Sequence, residues 1–336
     1  MQAIRIHTHG GPEVLTLEEL PVPEPGPGEV LVRVGSAAVN FSDTMRRRDD
    51  PYPFPTPLPF VPGGEVAGTV EALGDGVAGP PPGTRVLALA GPDGSTGYAQ
   101  FAVADARRVV PIPDGVDEET ASTVLVAGVT PLLVLTEAAR LQPGESVLVP
   151  AAAGGVGSYA VQLAKRLGAG TVVALAGTAA KRDAALDLGA DAALDPGDPT
   201  WPATVRELTG GGVDVALETT GGDALERTLT ALAPFGRVVV YGFASRVPAS
   251  LGPAAIESLL YRPALNQSIT GFNVGAYFVL RPQVAGPAIG RLLGMIADGD
   301  VRVPVTRRLA LRDAAEAHRA VEAREALGKI VLKPWA

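Results

Sequence analysis

The chain contains no cysteine. Disulfide bonds, thiol nucleophiles and cysteine-ligated zinc are therefore excluded. Imidazole is also scarce, because the only histidines are His7, His9 and His318. We predict that His7 and His9 lie on a solvated strand face and that His318 lies on a helix surface. The composition therefore predicts a protein without a bound metal.

Long apolar runs and a positive charge excess are missing as well. No run approaches the ~20 apolar residues that cross a bilayer, and the first ten residues lack the apolar core of a signal peptide, so a cytoplasmic protein is expected. A net charge of −8 argues against general affinity for nucleic acid or for an anionic membrane. Residues 46–48 are all arginine, but Asp49 and Asp50 follow. We predict a solvated, self-neutralised surface there.

The 336 residues are long for one core and predict two domains. Strand-like segments separated by Gly and Pro turns fill the first ~110 residues and predict a partly open barrel. They are residues 3–7, 30–39, 65–73, 85–89 and 99–103. Prolines recur through residues 51–62 and favour an extended loop.

From residue 120 an apolar helical pattern containing Pro131 leads into alternating strands and helices. This alternation predicts a parallel sheet that is buried on both faces. Predicted strands are residues 146–149, 171–174, 191–194, 213–217 and 237–241, with helices between them. After residue 262 we expect irregular sequence, then helices at 286–297 and 311–323 and a last strand at 329–332.

Residues 147–157 read V-L-V-P-A-A-A-G-G-V-G and precede an amphipathic helix. In a nucleotide-binding turn, one glycine permits a tight bend, one admits the pyrophosphate and one lets helix and strand pack closely. Gly154 and Gly157 suit the last two tasks, with Gly155 and Val156 between them, while Ala152 occupies the first place. The helix N-terminus would offer N–H groups to phosphates. A tight packing turn without a ligand is the alternative.

The end of the next strand indicates which dinucleotide binds. An NAD site places Asp or Glu about 20 residues beyond the turn to hold the ribose diol. Here the sequence has no carboxylate until Asp183. Gly177 and Thr178 leave room for a 2′-phosphate, and Lys181 and Arg182 can pair with it. The sequence therefore favours NADPH, although these cations are also typical of a solvated first helical turn.

Motifs along the whole chain resemble one family. They are H-G-G-P-E-V-L, A-A-V-N-F-S-D, L-P-F-V-P-G-G-E-V-A-G, A-G-V-T-P-L-L, A-A-A-G-G-V-G, A-G-T-A-A-K and the closing G-K-I-V-L. The chain resembles the quinone oxidoreductase (zeta-crystallin-like) branch of the zinc-independent medium-chain dehydrogenase/reductase superfamily. The resemblance implies an α/β fold. A GroES-like β-barrel catalytic domain (residues 1–120 and 262–336) would accompany a Rossmann NADPH-binding domain with a doubly wound parallel sheet (residues 121–261). It also implies a homodimer.

Zinc-dependent relatives carry Gly-His-Glu where this chain has Gly63-Gly64-Glu65. With no cysteine either, both zinc sites of those relatives are missing. Reduction of a simple ketone builds a localised alkoxide, which generally needs a metal or a positioned acid. Hydride addition to a quinone or enone spreads the charge over a conjugated system. The sequence therefore favours conjugated carbonyl acceptors.

The resemblance places Asn40, Phe41 and Asp43 in the cleft beside the nicotinamide, and Thr130 on the nicotinamide side. Met45 stands where many relatives have Tyr, which suggests a roomier and more apolar pocket. Asn40, Asp43, Met45 and Thr130 are the predicted catalytic positions. Asn40, Phe41 and Thr130 are predicted to contact the cofactor as well.

Further cofactor contacts are implied at the carboxyl ends of later strands and near the end of the chain. These positions are Thr219, Thr220, Tyr241, Gly242, Phe243, Phe272, Asn273 and Lys329. Three of the site assignments have structural alternatives. The Thr130 hydroxyl is also typical of a helix side chain bonded to the backbone. Ser42 and Asp43 are also typical N-caps of a short helix, and Lys329 is equally suited to capping the last strand.

The sequence thus predicts an NADPH-dependent, zinc-independent reductase that transfers hydride to a quinone or another α,β-unsaturated carbonyl. An enoyl reductase of polyketide or fatty-acyl synthesis is one alternative. A redox-inactive NADPH-binding protein with a structural or regulatory role is another. The expected partners are a small-molecule substrate and a second copy of the chain, with neither nucleic acid nor membrane.

Overall fold

The computed structural model describes residues 1–261 and 265–336. The chain divides into two compact units. The terminal unit comprises Met1–Ala127, Arg291–Gly299 and Val303–Ala336, and the central unit comprises Gly128–Gly290 and Asp300–Arg302. The domain limits expected from the sequence stay a prediction, and the limit at residue 262 falls on residues outside the described ones.

The strands of the described residues follow in chain order. They are β1 (Gln2–Arg5), β2 (Thr16–Glu19), β3 (Glu29–Val39), β4 (Glu65–Leu73), β5 (Arg85–Leu89), β6 (Phe101–Asp105), β7 (Val109–Pro111), β8 (Ser146–Val149), β9 (Thr171–Leu175), β10 (Ala192–Leu194), β11 (Val213–Glu218), β12 (Leu232–Val240), β13 (Ser268–Gly271), β14 (Val305–Ala310) and β15 (Lys329–Lys333). Residues 51–59 lie in no helix or strand.

The α-helices of the described residues are mostly short. They are α1 (Phe41–Arg48), α2 (Glu118–Ala121), α3 (Val129–Leu133), α4 (Gly155–Arg166), α5 (Ala179–Asp187), α6 (Trp201–Leu208), α7 (Ala224–Ala231), α8 (Pro253–Tyr261), α9 (Val274–Leu280), α10 (Pro282–Ala297) and α11 (Ala314–Glu322). π-helical turns at Val124–Gly128 and Val134–Ala138 flank α3. Pro131 therefore lies inside a helical segment, as the apolar pattern predicted.

The terminal unit is built on a mixed seven-stranded sheet with the order β14-β15-β3-β4-β5-β7, in which β6 also pairs with β3. Ile330 of β15 pairs with Val39, and Val66 of β4 pairs with Ala37. Because of this register, the start of β15, the end of β3 and the start of β4 lie at the same end of the sheet. Valine and alanine side chains from these strands pack against the alanines of α11 to form the core.

The central unit is a six-stranded parallel sheet with the order β10-β9-β8-β11-β12-β13. Counted from β8, this order is 3-2-1-4-5-6, the order of the doubly wound dinucleotide-binding fold. Every residue of β8 is buried, as are four of the five residues of β9. Such burial explains the continuous apolar runs in the sequence. The predicted Rossmann sheet is confirmed.

Several local predictions differ from the structure. The first strand ends at Arg5 rather than at residue 7, and the strand expected at 99–103 lies at Phe101–Asp105. The segment after residue 262 was expected to be irregular, yet it contains β13, α9 and β14. β13 and β14 lie at sheet edges, and their partial exposure weakens the apolar signal that marks the central strands.

Candidate functional site

The glycine turn lies between β8 and α4. Gly154 caps α4, and a Cβ built at this position would meet only the Ala151 carbonyl oxygen, at 3.2 Å. A Cβ at Gly157 would lie 2.2 Å from the same oxygen and 2.7 Å from the Cα of Ala152. Gly157 is therefore required for close packing, whereas Gly154 leaves the approach to the helix N-terminus open. The turn has the shape that a pyrophosphate needs.

The turn also lies at the point where strand order reverses, between β8 and β11. Ligands of doubly wound sheets bind outside the carboxyl ends of the strands at this point. Ala152 donates a backbone hydrogen bond of 3.1 Å to the Leu175 carbonyl at the end of β9. This bond ties the turn to the strand end that contacts the ribose in such folds. Ala151, with φ +48°, supplies the bend in the turn.

No carboxylate lies between the end of β9 and Asp183 in α5. Gly177 and Thr178 are exposed, and the hydroxyl of Thr178 accepts from the backbone N–H of Lys181 and thereby caps α5. Arg182 donates to Asp195 Oδ2 and to the Ala176 carbonyl, both at 3.1 Å. Lys181 and Arg182 thus place two positive charges in the first turns of α5. Arg182 already donates hydrogen bonds to protein groups through its guanidinium.

The other expected cofactor positions of the central unit also follow strand ends. Thr219 and Thr220 follow β11, the stretch 241–243 follows β12, and the pair 272–273 follows β13. A Cβ at Gly242 would lie 2.6 Å from Thr219 Oγ1, so the two segments touch. Thr130 lies in α3 and is 6% exposed. The sheet therefore gathers the expected positions of β8, β9, β11, β12 and β13 at one edge.

One acidic side chain at this edge was not expected from the sequence. Glu218, the last residue of β11, is buried, and its carboxylate accepts from the backbone N–H groups of Thr220 and Gly221. Burial raises the pKa of Glu218, while those N–H groups act in the opposite direction. The carboxylate shapes the turn after β11.

In the terminal unit, the end of β3 carries a buried polar cluster. Lys329 Nζ donates to Asn40 Oδ1 at 2.6 Å and to the Val39 carbonyl at 3.1 Å. Asn40 Nδ2 donates to Glu65 Oε1 at 3.0 Å, and the backbone N–H of Val126 donates to the other oxygen of Glu65 at 2.8 Å. Burial raises the pKa of Glu65 and lowers the pKa of Lys329. Lys329 thus contacts Asn40 directly.

Asn40 is also the N-cap of α1. Its backbone N–H donates to Asp43 Oδ2 at 2.8 Å, which is the reciprocal half of a capping box. The N-cap suggested for Ser42 or Asp43 therefore lies two or three residues earlier. Burial raises the pKa of Asp43. Phe41 and Met45 lie on α1 with Asp43, so the segment 40–45 forms one local structure.

A chain of hydrogen bonds leads away from Asp43. The Tyr98 hydroxyl donates to Asp43 Oδ2 at 3.1 Å and lies 3.2 Å from His318 Nε2, and Arg47 donates to His318 Nδ1 at 3.3 Å. Because an arginine can only donate, Nδ1 accepts and Nε2 carries the hydrogen. His318 is therefore neutral, and burial lowers its pKa to about 3. The prediction of a helix-surface histidine is wrong, because α11 packs this face into the core.

The arginine-rich surface expected at residues 46–48 is likewise incorrect. Arg46 is 2% exposed and Arg47 is fully buried. Arg46 pairs with Asp93 at 2.6 Å and donates to the carbonyls of Pro55, Asp93 and Gly94. Since those groups belong to two loops, Arg46 joins α1 to the proline-rich segment and to residues 93–94. Arg47 pairs with Glu322 at 2.5 Å.

The described residues contain neither a cluster of metal-binding side chains nor a helix suited to cross a membrane. No group of three or more His, Cys, Asp or Glu side chains within residues 1–261 and 265–336 is arranged to hold a metal ion. In the same part of the chain, no helix has both the length and the apolar character of a membrane span.

Two family models match the chain. Residues 26–114 match the alcohol dehydrogenase GroES-like domain, and residues 155–282 match the zinc-binding dehydrogenase model. A quinone oxidoreductase of Pseudomonas aeruginosa is 36% identical over 98% of this chain and 99% of its own. A 2-haloacrylate reductase of a Burkholderia species is 33% identical, with both chains fully covered.

A solved structure gives the same result. The quinone oxidoreductase of Escherichia coli, in complex with NADPH, has a TM-score of 0.90 and 30% identity, over 99% of this chain and 100% of its own. These matches cover nearly the whole length of this chain. The chain belongs to the quinone oxidoreductase branch of the medium-chain dehydrogenase/reductase superfamily.

Proposed function

We propose that this chain is an NADPH-dependent reductase that transfers hydride to quinones or other α,β-unsaturated carbonyls. The observation that carries the cofactor assignment is the pairing of an open glycine turn with a β9 end that bears no carboxylate. An NAD site has an acidic side chain at that strand end to bind both ribose hydroxyls. Here the exposed Gly177 and Thr178 leave space, and Lys181 supplies positive charge.

The residues present fit such a cofactor. The free N–H groups at the start of α4 would bind the pyrophosphate, and Gly154 would let it approach the backbone. Lys181, aided by Arg182, would bind the 2′-phosphate. When bound, the dihydronicotinamide supplies one hydride, which carries two electrons.

For the acceptor, we propose that Asn40 donates a hydrogen bond to the carbonyl oxygen on which charge collects. A quinone that receives one hydride and one proton from water becomes a hydroquinone, so atoms and electrons balance. The same uptake saturates the C=C bond of an enone. The names of two relatives support this class: one reduces quinones, and the other reduces 2-haloacrylate, whose C=C bond is conjugated with a carboxylate.

The cofactor proposal is tested by titrating the protein with NADPH and NADH and following nucleotide fluorescence. NADPH should bind more tightly, and the double variant Lys181→Ala, Arg182→Ala should lose about tenfold or more in NADPH affinity, since charge-assisted bonds contribute about 1.5–3 kcal/mol. NADH affinity should stay unchanged. Lys165→Ala is the matched control, because Lys165 pairs with Asp191 elsewhere on the central unit. Equal parent affinities for the two nucleotides would contradict the assignment.

We also propose a homodimer in the cytoplasm. Large apolar side chains are exposed on two helices of the central unit: Ile256 and Leu260 with Tyr261 on α8, and Val279 with Leu280 on α9. Contiguous exposed apolar surface is typical of protein–protein interfaces. Light scattering should give twice the 34.3 kDa chain mass, and a monomer at micromolar concentration would oppose the dimer.

A further inference from the structure

The start of β15, the end of β3 and the start of β4 bring three polar side chains together inside the terminal unit. Lys329 is 3%, Asn40 6% and Glu65 0% exposed. The ammonium and the carboxylate lie 3.8 Å apart, and each also contacts the amide of Asn40. A buried charge pair seldom stabilises a fold more than an apolar pair of the same volume would. Because Lys329 and Glu65 both contact the Asn40 amide, we look for a function of this pair other than stabilising the fold.

The two charges act on opposite ends of the Asn40 amide. Lys329 can only donate, so it takes the carbonyl oxygen, and ionised Glu65 can only accept, so it takes the nitrogen. An amide turned by 180° would set its N–H₂ against the ammonium and its oxygen against the carboxylate. The pair thus determines which way the amide points. Of the two hydrogens on Nδ2, Glu65 takes one, and no protein group in the described part of the chain takes the other.

We propose that Lys329 and Glu65 are positioning residues that set the orientation of Asn40 and so present its second amide hydrogen to the acceptor oxygen. The inference rests on the proposed function and extends it to two residues that need not touch substrate or cofactor. It also replaces the expected contact between Lys329 and the cofactor. Inside the terminal unit, the Lys329 ammonium donates to Asn40 Oδ1 and to the Val39 carbonyl and lies 3.8 Å from Glu65 Oε1.

A double substitution separates positioning from stability. Lys329→Met alone leaves Glu65 as a buried carboxylate without its cation, so the melting temperature should fall. Lys329→Met with Glu65→Gln removes both charges and should recover most of the melting temperature. In that double variant the new side-chain amide at position 65 can present either its oxygen or its nitrogen, and the Asn40 amide is free to turn. We expect kcat of this double variant with a quinone to stay on the order of 100-fold below the parent value, which is the loss expected when a catalytic group is displaced.

Lys333→Met is the matched control. Lys333 lies on the same strand, pairs with Glu119 at 3.2 Å and is 31% exposed, so the substitution should leave kcat unchanged. NADPH affinity, measured by fluorescence, should be the same in the parent, the control and the double variant. Asn40→Ala should lower kcat to a similar level, and adding the double substitution to it should lower kcat no further.

The outcomes are distinct. Recovery of kcat together with the melting temperature in the double variant overturns the inference, because the pair would then be purely structural. Loss of NADPH affinity in that variant with kcat unchanged overturns it as well, since Lys329 would then serve the cofactor. A parent that binds NADPH but oxidises it with no conjugated acceptor refutes the proposed function itself, before any variant is compared.

Discussion

His318 predicts a measurable pH dependence of stability. In the folded chain it is buried and neutral between Arg47 and Tyr98, with Asp43 beyond Tyr98 and Glu322 beyond Arg47, and its pKa is lowered to about 3. In the unfolded chain a histidine has a pKa of about 6.5. Below that pH the unfolded chain binds a proton that the folded chain does not, so stability falls as the pH falls. From about pH 7.5 to about pH 5.5 this one group removes about 1.4 kcal/mol.

The assay is urea unfolding followed by tryptophan fluorescence. The chain has two tryptophans, and Trp201→Phe leaves Trp335, whose indole N–H donates to the Val34 carbonyl in the terminal unit. In that background the loss between the two pH values should be about 1.4 kcal/mol smaller for His318→Gln, because glutamine does not titrate. His7→Gln is the control, since the His7 side chain is 57% exposed. Equal pH dependence in the parent and His318→Gln would refute the buried neutral histidine.

Three further predictions follow from single features. Arg46→Met should lower the free energy of unfolding of the terminal unit by about 1–3 kcal/mol, because it removes the hydrogen-bond donor from the Asp93 carboxylate and from three backbone carbonyls; urea unfolding with Trp335 as the reporter checks this. Gly154→Val should abolish NADPH binding with little loss of melting temperature, whereas Gly157→Val should destabilise the central unit, because its Cβ overlaps backbone atoms; NADPH titration and thermal melts separate the two. Chelators should leave NADPH oxidation unchanged, and stoichiometric zinc by elemental analysis would contradict a metal-free reaction.

The central unit was largely predictable because its signals are local. Apolar runs of four or five residues, small turn residues and helical spacing follow one another along the chain, and each βα unit closes within a short stretch. Residues 171–174 were expected as a strand and form most of Thr171–Leu175. The role of Gly157 could be deduced before the structure because close helix–strand packing is a property of that turn.

The polar cluster of the terminal unit was not predictable, since its partners are distant in sequence. Lys329 and Asn40 are separated by 289 residues, and Arg47 and His318 by 271. In neither pair does the sequence around one residue indicate which distant residue it will contact. One signal for His318 was present, because Ala314, Ala317 and Val321 share its helical face at the spacing of a buried stripe.

The most direct test of the central claim is oxidation of NADPH by the parent protein against four acceptors. They are a quinone, an enone, an enoyl thioester and a saturated ketone of similar size. We expect rapid turnover with the quinone or the enone and none with the saturated ketone, because a localised alkoxide generally needs a metal or a positioned acid. A preference for the enoyl thioester would assign the chain to acyl reduction, and NADPH binding without oxidation of any acceptor would contradict the account.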